Sequence, residues 1–156
     1  MSGVEIVAFR AELAEHFSRL NREWIERLFV MEAADRKVLD NPEAAIIARG
    51  GMIFFALEDG EVLGTGAAIR IDEHRFELAK MGVTPAAQGR GLGRLIGEAV
   101  IGYARDAGAR EIELLTNSSL TPAITLYEKL GFEHRPMPVD NAYARSDVYM
   151  VRPLHD

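Results

Sequence analysis

Residues 83–93 read Val-Thr-Pro-Ala-Ala-Gln-Gly-Arg-Gly-Leu-Gly and run directly into an apolar stripe at helical spacing, Leu92, Leu95, Ile96, Ala99, Tyr103 and Ala107. This junction of tight turn and amphipathic helix constrains the chain more than any other segment. Gly89, Gly91 and Gly93 let the backbone turn sharply and come close to a ligand. A helix that starts near Gly91 points its free N–H groups back into the turn, which makes an anion site, and the usual anion is a phosphate. Arg90 and Arg94 add side-chain charge at the same place. The alternative, a merely tight connection, has to explain the coincidence of the glycines with Gln88 and both arginines.

Spacing tells which phosphate loop this is. A P-loop needs a Gly-Lys pair, and the chain has none. The dinucleotide fingerprint Gly-x-Gly-x-x-Gly fails at its sixth position, which is Arg94 counted from Gly89 and Ile96 counted from Gly91. Gln/Arg-x-x-Gly-x-Gly/Ala is met by Gln88, Gly91 and Gly93. A second segment, Ala123-Ile-Thr-Leu-Tyr127-Glu-Lys-Leu-Gly-Phe132, follows after one helix and one strand. Together the two motifs resemble the GNAT N-acetyltransferase superfamily over about residues 52–134. The resemblance implies acetyl-CoA as co-substrate, and a GNAT-like acyl-CoA N-acyltransferase fold. That fold is a mixed α/β sheet of six or seven strands, flanked by helices and splayed between the fourth and fifth strands.

The 156 residues suit one domain spanning 1–156, with an apolar fraction of 48% and a charged fraction of 27%. Without cysteine there is no disulfide, thiolate metal site or cysteine nucleophile. His16, His74, His134 and His155 lack metal-ligand spacing, so no metal is expected. Eighteen basic residues against 24 acidic give a net charge of −6, which disfavours nucleic acid and is weakly compatible with an amine substrate. The strand-like apolar run Met52–Leu57 is too short to span a bilayer, and the N-terminus has no apolar signal core, so no membrane partner is expected. A cytoplasmic location follows by default.

Periodicity predicts a strand over 4–9, a helix over 14–29, a short helix over 35–39 and a helical turn over 42–49. Strands at 52–57 and 62–71 flank Asp59-Gly60, a strong hairpin signal. A strand over 76–83 precedes the glycine turn, and a helix over 91–107 stops at Gly108. A strand over 111–115 comes next, then a helix opened by Thr121-Pro122 with Thr121 as its cap. Strands at 132–134 and 147–151 close the chain, with a loop over 135–145 between them.

The resemblance assigns the pyrophosphate chiefly to main-chain N–H groups at Gln88, Gly89, Arg90, Gly91, Leu92, Gly93 and Arg94. It places the pantetheine arm along Met81-Gly82-Val83, where one N–H would face the thioester oxygen. Such a fixed donor is worth about 10²–10³ in rate elsewhere. Gly82 suits a bulge that splays the strands, or is an ordinary strand glycine. Tyr127 is the general acid for the departing thiolate, since a phenol near about 10 and a thiol near about 8.5 lie close enough for exchange. Its alternative is a core aromatic. Glu77, six residues before Val83 and thus on the same strand face, falls where histone-acetylating relatives carry a base. Lys80, on the opposite face, reads as a structural or phosphate-side charge. Many relatives carry Asn three residues before the alanine of the second motif, where this chain has Leu120; Asn117 is the nearest asparagine. It contacts coenzyme or substrate, or caps the turn.

The activity so implied is direct acetyl transfer to a primary amine, most simply a small amine or amino compound. Protein lysine or N-terminal acetylation, and a non-catalytic acyl-CoA sensor or interaction module, stand as alternatives. Trp24, Phe29, Tyr143 and Arg145 are the candidates for acceptor recognition, and the resemblance allows a homodimer.

Overall fold

The computed structural model describes residues 3–138 and 143–154. His155 and the middle of the 135–145 loop lie outside them. Seven strands form one sheet: β1 (Val4–Ala8), β2 (Met52–Glu58), β3 (Glu61–Arg70), β4 (Arg75–Val83), β5 (Glu111–Thr116), β6 (Glu133–Arg135) and β7 (Val148–Pro153). Their order is β1-β2-β3-β4-β5-β7-β6. Only β4 and β5 run parallel; every other neighbouring pair is antiparallel. The helices are α1 (Ala14–Leu28), α2 (Ala33–Leu39), α3 (Pro42–Ala45), α4 (Leu92–Asp106) and α5 (Thr121–Lys129). This is the mixed α/β sheet that the sequence motifs imply.

Alternation along the strands divides the core in two. Phe76 and Leu78 of β4, Ile112 and Leu114 of β5 and Met150 of β7 pack with Val100 and Ala104 of α4 on one face. Phe17, Leu20 and Ile25 of α1 cover Ile53, Phe55 and Ala67 on the other. Burying each such side chain contributes roughly 1.5–3 kcal/mol, so neither face is left to solvent in the β2–β4 half.

Boundaries move where a cap differs from the common residue types. The β2–β3 hairpin turns at Asp59 and Gly60, with φ of 52° and 80°, the left-handed pair of a type I′ turn. Helix α2 starts at Ala33, two residues earlier than its apolar pattern predicts. Its cap is Glu32, in a reciprocal box with Asp35, an acidic variant of the usual Ser/Thr start. Helix α5 has Leu120 at its N-cap position, so Thr121 lies inside the helix and does not cap it through its side chain.

Candidate active site

Strands β4 and β5 pair only from Arg75↔Glu111 to Glu77↔Glu113. Beyond that rung β4 continues to Val83 and β5 to Thr116 without pairing, so the sheet opens into a V. Backbone groups on the inner edge of β4 there have no ladder partner, and an extended ligand can supply one. The V holds a cavity of about 450 Å³. Its walls come from both strands, α1, α5, the glycine turn and the segment around Tyr143–Ser146.

At one end of the cavity lies the glycine turn. Gly89 and Gly91 have φ of 83° and 79°, and a Cβ built on either would meet no atom within 4 Å. Both therefore need glycine for conformation, and both leave open space on the cavity side. The Gly91 carbonyl accepts the first helical bond from the Leu95 N–H at 3.2 Å. The amides of Leu92, Gly93 and Arg94 precede that bond and lack an intrahelical acceptor. Open space against a row of free amides fits a diphosphate. Leu92 fixes the turn through its buried side chain, packed with Leu63 and Ala87.

The other members of the motif do different work. A Cβ on Gly93 would come within 3.1 Å of Leu126 Cδ2, so this glycine admits α5 and does not clear a ligand path. Arg90 donates twice to the Glu58 carboxylate, at 3.0 and 2.6 Å, and so pins the turn to β2. Arg94 reaches Glu98 on its own helix at 3.4 Å. Gln88 donates to the Val83 carbonyl at 3.2 Å, closing the turn onto the end of β4. The two arginines were expected as phosphate charges; both are engaged by carboxylates.

The bulge in β4 sits at Lys80, not at Gly82. Gly82 pairs regularly with Thr65, while the register slips opposite Gly66, and Lys80 takes φ of 55°. Gly82 is small because a Cβ there would stand 2.8 Å from Trp24 Cδ1. The bulge also breaks the alternation that put Glu77 and Val83 on one face. Glu77 is level with Ile69 on the α1 side, whereas Val83 lies beside Gly64 near Ile96 on the α4 side. Lys80 accordingly turns to the α1 side as well, and its Nζ donates to Asp35 at 2.8 Å and to the Tyr143 hydroxyl at 2.9 Å.

Behind the cavity wall, Asp35 ties Lys80 to Arg145. Fully buried, it accepts from Lys80 and twice from Arg145, at 2.8 and 2.6 Å. Burial opposes its charge, but the bonds from Arg145 and Lys80 outweigh that and hold the carboxyl well below the usual range. The Arg145 guanidinium lies 4.7, 5.8 and 5.9 Å from the rings of Tyr143, Trp24 and Phe29. A protein cation thus already fills this aromatic cluster. Replacing Asp35 by Asn is expected to lower stability by about 2 kcal/mol at neutral pH. Because the folded pKa is depressed, the deficit is full above 3.8 and shrinks as the pH falls below it. Thermal melts of both proteins at pH 7 and pH 3 check this.

Glu77 and Tyr127 open onto the same cavity from opposite faces of the sheet. Burial pushes the Glu77 carboxyl up to about 7, with Glu113 adding to the rise and Lys80 partly offsetting it. Burial likewise pushes the Tyr127 phenol up to about 12. Its ring packs edge-on against Phe132 at 6.1 Å, so it is a core aromatic whose polar tip faces the cavity. Asn117 resolves toward the cap. Its Oδ1 accepts from the Ser119 N–H and hydroxyl at 2.8 and 2.6 Å, and its Nδ2 donates to the Arg145 carbonyl at 2.6 Å. Asn117 also lines the cavity.

Asp35 and Glu113 escaped the sequence reading. Asp35 looks like an ordinary helical surface charge, and it gains its cations from far along the chain: Arg145, and Lys80 through a positive φ that no residue type announces. Glu113 matters through its register opposite Glu77, and strand pairing across a crossover is not written locally. Among the described residues no helix is long and apolar enough to cross a membrane.

Residues 11–132 match the model of the acetyltransferase (GNAT) family. A mycothiol acetyltransferase of Rhodococcus erythropolis is 44% identical over 75 residues, which are 48% of this chain and 24% of that protein. The chain thus spans about a quarter of that relative. A GNAT-family acetyltransferase structure from Staphylococcus aureus superposes with a TM-score of 0.88 at 19% identity, covering 98% of this chain and 100% of that one. The YncA acetyltransferase structure from Salmonella typhimurium, solved with acetyl-CoA, superposes at 0.79 with 23% identity, covering 98% and 95%. With the family model matched across the glycine turn and the Leu-Tyr-x-x-x-Gly-Phe helix alike, the chain belongs to the acetyltransferase (GNAT) family.

Proposed function

We propose that this acetyltransferase, working as one domain, transfers the acetyl group of acetyl-CoA directly to a primary amine of a small molecule. The observation that carries the reading is the placement of Glu77 and Tyr127 in one cavity that runs on to the free amides of α4. When bound, acetyl-CoA supplies the activated acyl group; the chain supplies position and proton management. The amides of 89–94 hold the diphosphate end, and the free edge of β4 at Met81–Val83 orients the arm. Glu77, pushed up to about 7, is a base matched to neutral pH and takes the proton from the acceptor ammonium or its water. The acceptor names of the mycothiol acetyltransferase relatives agree with a small-molecule amine. Thiol release from acetyl-CoA across a panel of small amines and lysine peptides tests the reading. Release with peptides alone would replace it by protein acetylation, and release with neither would favour a sensor.

Tyr127 keeps its proton throughout the working range, because its pKa is raised to about 12. It is therefore a donor to the leaving sulfur at every pH where the reaction runs. Its high pKa makes full transfer less favourable than for a free phenol, so its share falls at the low end of general-acid effects. Tyr127→Phe is expected to lower kcat by about 10²-fold with the Kd for acetyl-CoA nearly unchanged. Steady-state kinetics with calorimetry measure both, and an unchanged kcat removes Tyr127 from the mechanism.

A further inference from the structure

We infer that Glu113, a residue that lines no part of the cavity, is a positioning residue that tunes the proton affinity of the base Glu77 on top of its burial, with Arg75 and Tyr149 holding it in place. The inference rests on the reading of Glu77 as base. Its geometry is that of the last rung before the sheet splays, where Glu77 and Glu113 stand in direct register on parallel neighbours. Adjacent strands lie about 4.8 Å apart, and residues in register point to the same face. Two carboxylates so placed cannot both ionise without cost, and the environment decides which keeps its charge. Glu113 has the partners. Its Oε1 accepts from the Tyr149 hydroxyl at 3.0 Å and from Arg75 at 3.4 Å. Glu77 has no hydrogen-bond donor of this kind among the described residues, and it faces the cavity.

Every element around Glu77 contributes to this balance. On β4, Lys80 favours its charge, but that cation is already bonded to Asp35 of α2 and to Tyr143. Arg145 shares Asp35 from the 143–146 segment. Arg27 of α1 and Tyr127 of α5 line the same cavity. On β5 stands Glu113, and on β7 Tyr149, whose phenol is itself pushed up to about 12 by burial and by its bond to Glu113, so it remains a donor. Of the two carboxyls, Glu113 is the one with donors and Glu77 the one on the cavity wall. Removing Glu113's charge then makes Glu77 a weaker base that ionises earlier. Removing Arg75 leaves that charge less compensated and has the opposite effect.

The test is a pH titration of the Glu77 side-chain carboxyl by carbon-13 NMR in the whole protein, assigned with Glu77→Gln. The acid limb of kcat/KM with acetyl-CoA and the best amine of the panel is followed in parallel. Glu113→Gln is expected to lower both midpoints by roughly half to one pH unit. Arg75→Gln is expected to raise both, a pair of opposed shifts that a purely structural role would not produce. If one variant fails to fold, the other still decides by its sign. A carboxyl midpoint unmoved in the folded variants overturns the inference. An acid limb that survives Glu77→Gln overturns the base reading instead, whatever the carboxyl titration shows.

Discussion

Gly91→Val is expected to raise the Kd for acetyl-CoA at least about 100-fold, as read by calorimetry, while the protein stays folded. Gly91 is the N-cap of α4 with φ of 79°, a conformation that costs a side chain with a Cβ roughly 1–2 kcal/mol and a β-branched one more. That strain alone is a modest loss of stability. The binding loss comes from elsewhere. The Cβ position is open to 4 Å and Gly91 lines the cavity, so the added methyl groups are expected to obstruct the approach of a diphosphate to the amides. Those amides lie within a few residues of one another, so relaxing the strained turn would also misalign the rest. A melt showing a small stability loss together with normal coenzyme affinity would mean that the turn is only a connection. The diphosphate would then have to bind elsewhere.

The glycine turn and the helix after it were legible because their signals are local: residue types whose backbone conformations few others adopt, and an apolar stripe of one period. Tyr127 was singled out by the Leu-Tyr-x-x-x-Gly-Phe resemblance, and it lines the cavity. The half of the cavity away from the glycine turn was not legible. Trp24, Phe29, Tyr143 and Arg145 do meet there, but what organises them is Asp35, a buried charge 110 residues from Arg145 in sequence. Its importance exists only after folding. The bulge at Lys80 marks the sharpest limit. Period-two alternation is a sound rule for a regular strand, and one extra residue between Glu77 and Val83 inverts its answer. Glycine at 82 suggested a bulge in this stretch, yet the distortion settled on a lysine. The buried ion pair with Asp35 offsets the unfavourable backbone there. Arg90 and Arg94 lie next to the glycine turn in sequence, and their pairing with Glu58 and Glu98 is visible only in space.

Glu77→Gln is expected to have opposite consequences for rate and for stability. The amide cannot accept a proton, so kcat/KM falls by about 10²–10³-fold, and the rise of activity through pH 7 disappears from the profile. Stability moves the other way, increasingly from about pH 4.5 upward. The folded carboxyl titrates at about 7 instead of its ordinary 4.5, so folding favours its protonated form. The contribution of that form is complete below 4.5 and is lost as the pH rises through 7. Glutamine mimics the protonated acid and does not lose it. The variant should therefore nearly match the parent in melts at pH 4.5 and exceed it at pH 8.5, by at most about 3.5 kcal/mol at roughly 1.4 kcal/mol per pH unit. A structural glutamate buried to the same degree would show the stability effect without the loss of rate. One that was ionised and well paired in the fold would show the reverse, with Glu77→Gln destabilising at high pH. The stability crossover needs no acceptor, so it can be measured before the amine is known. It tests the link between the two roles of this carboxyl: the burial that destabilises its charged form is the same burial that makes it a base near neutrality.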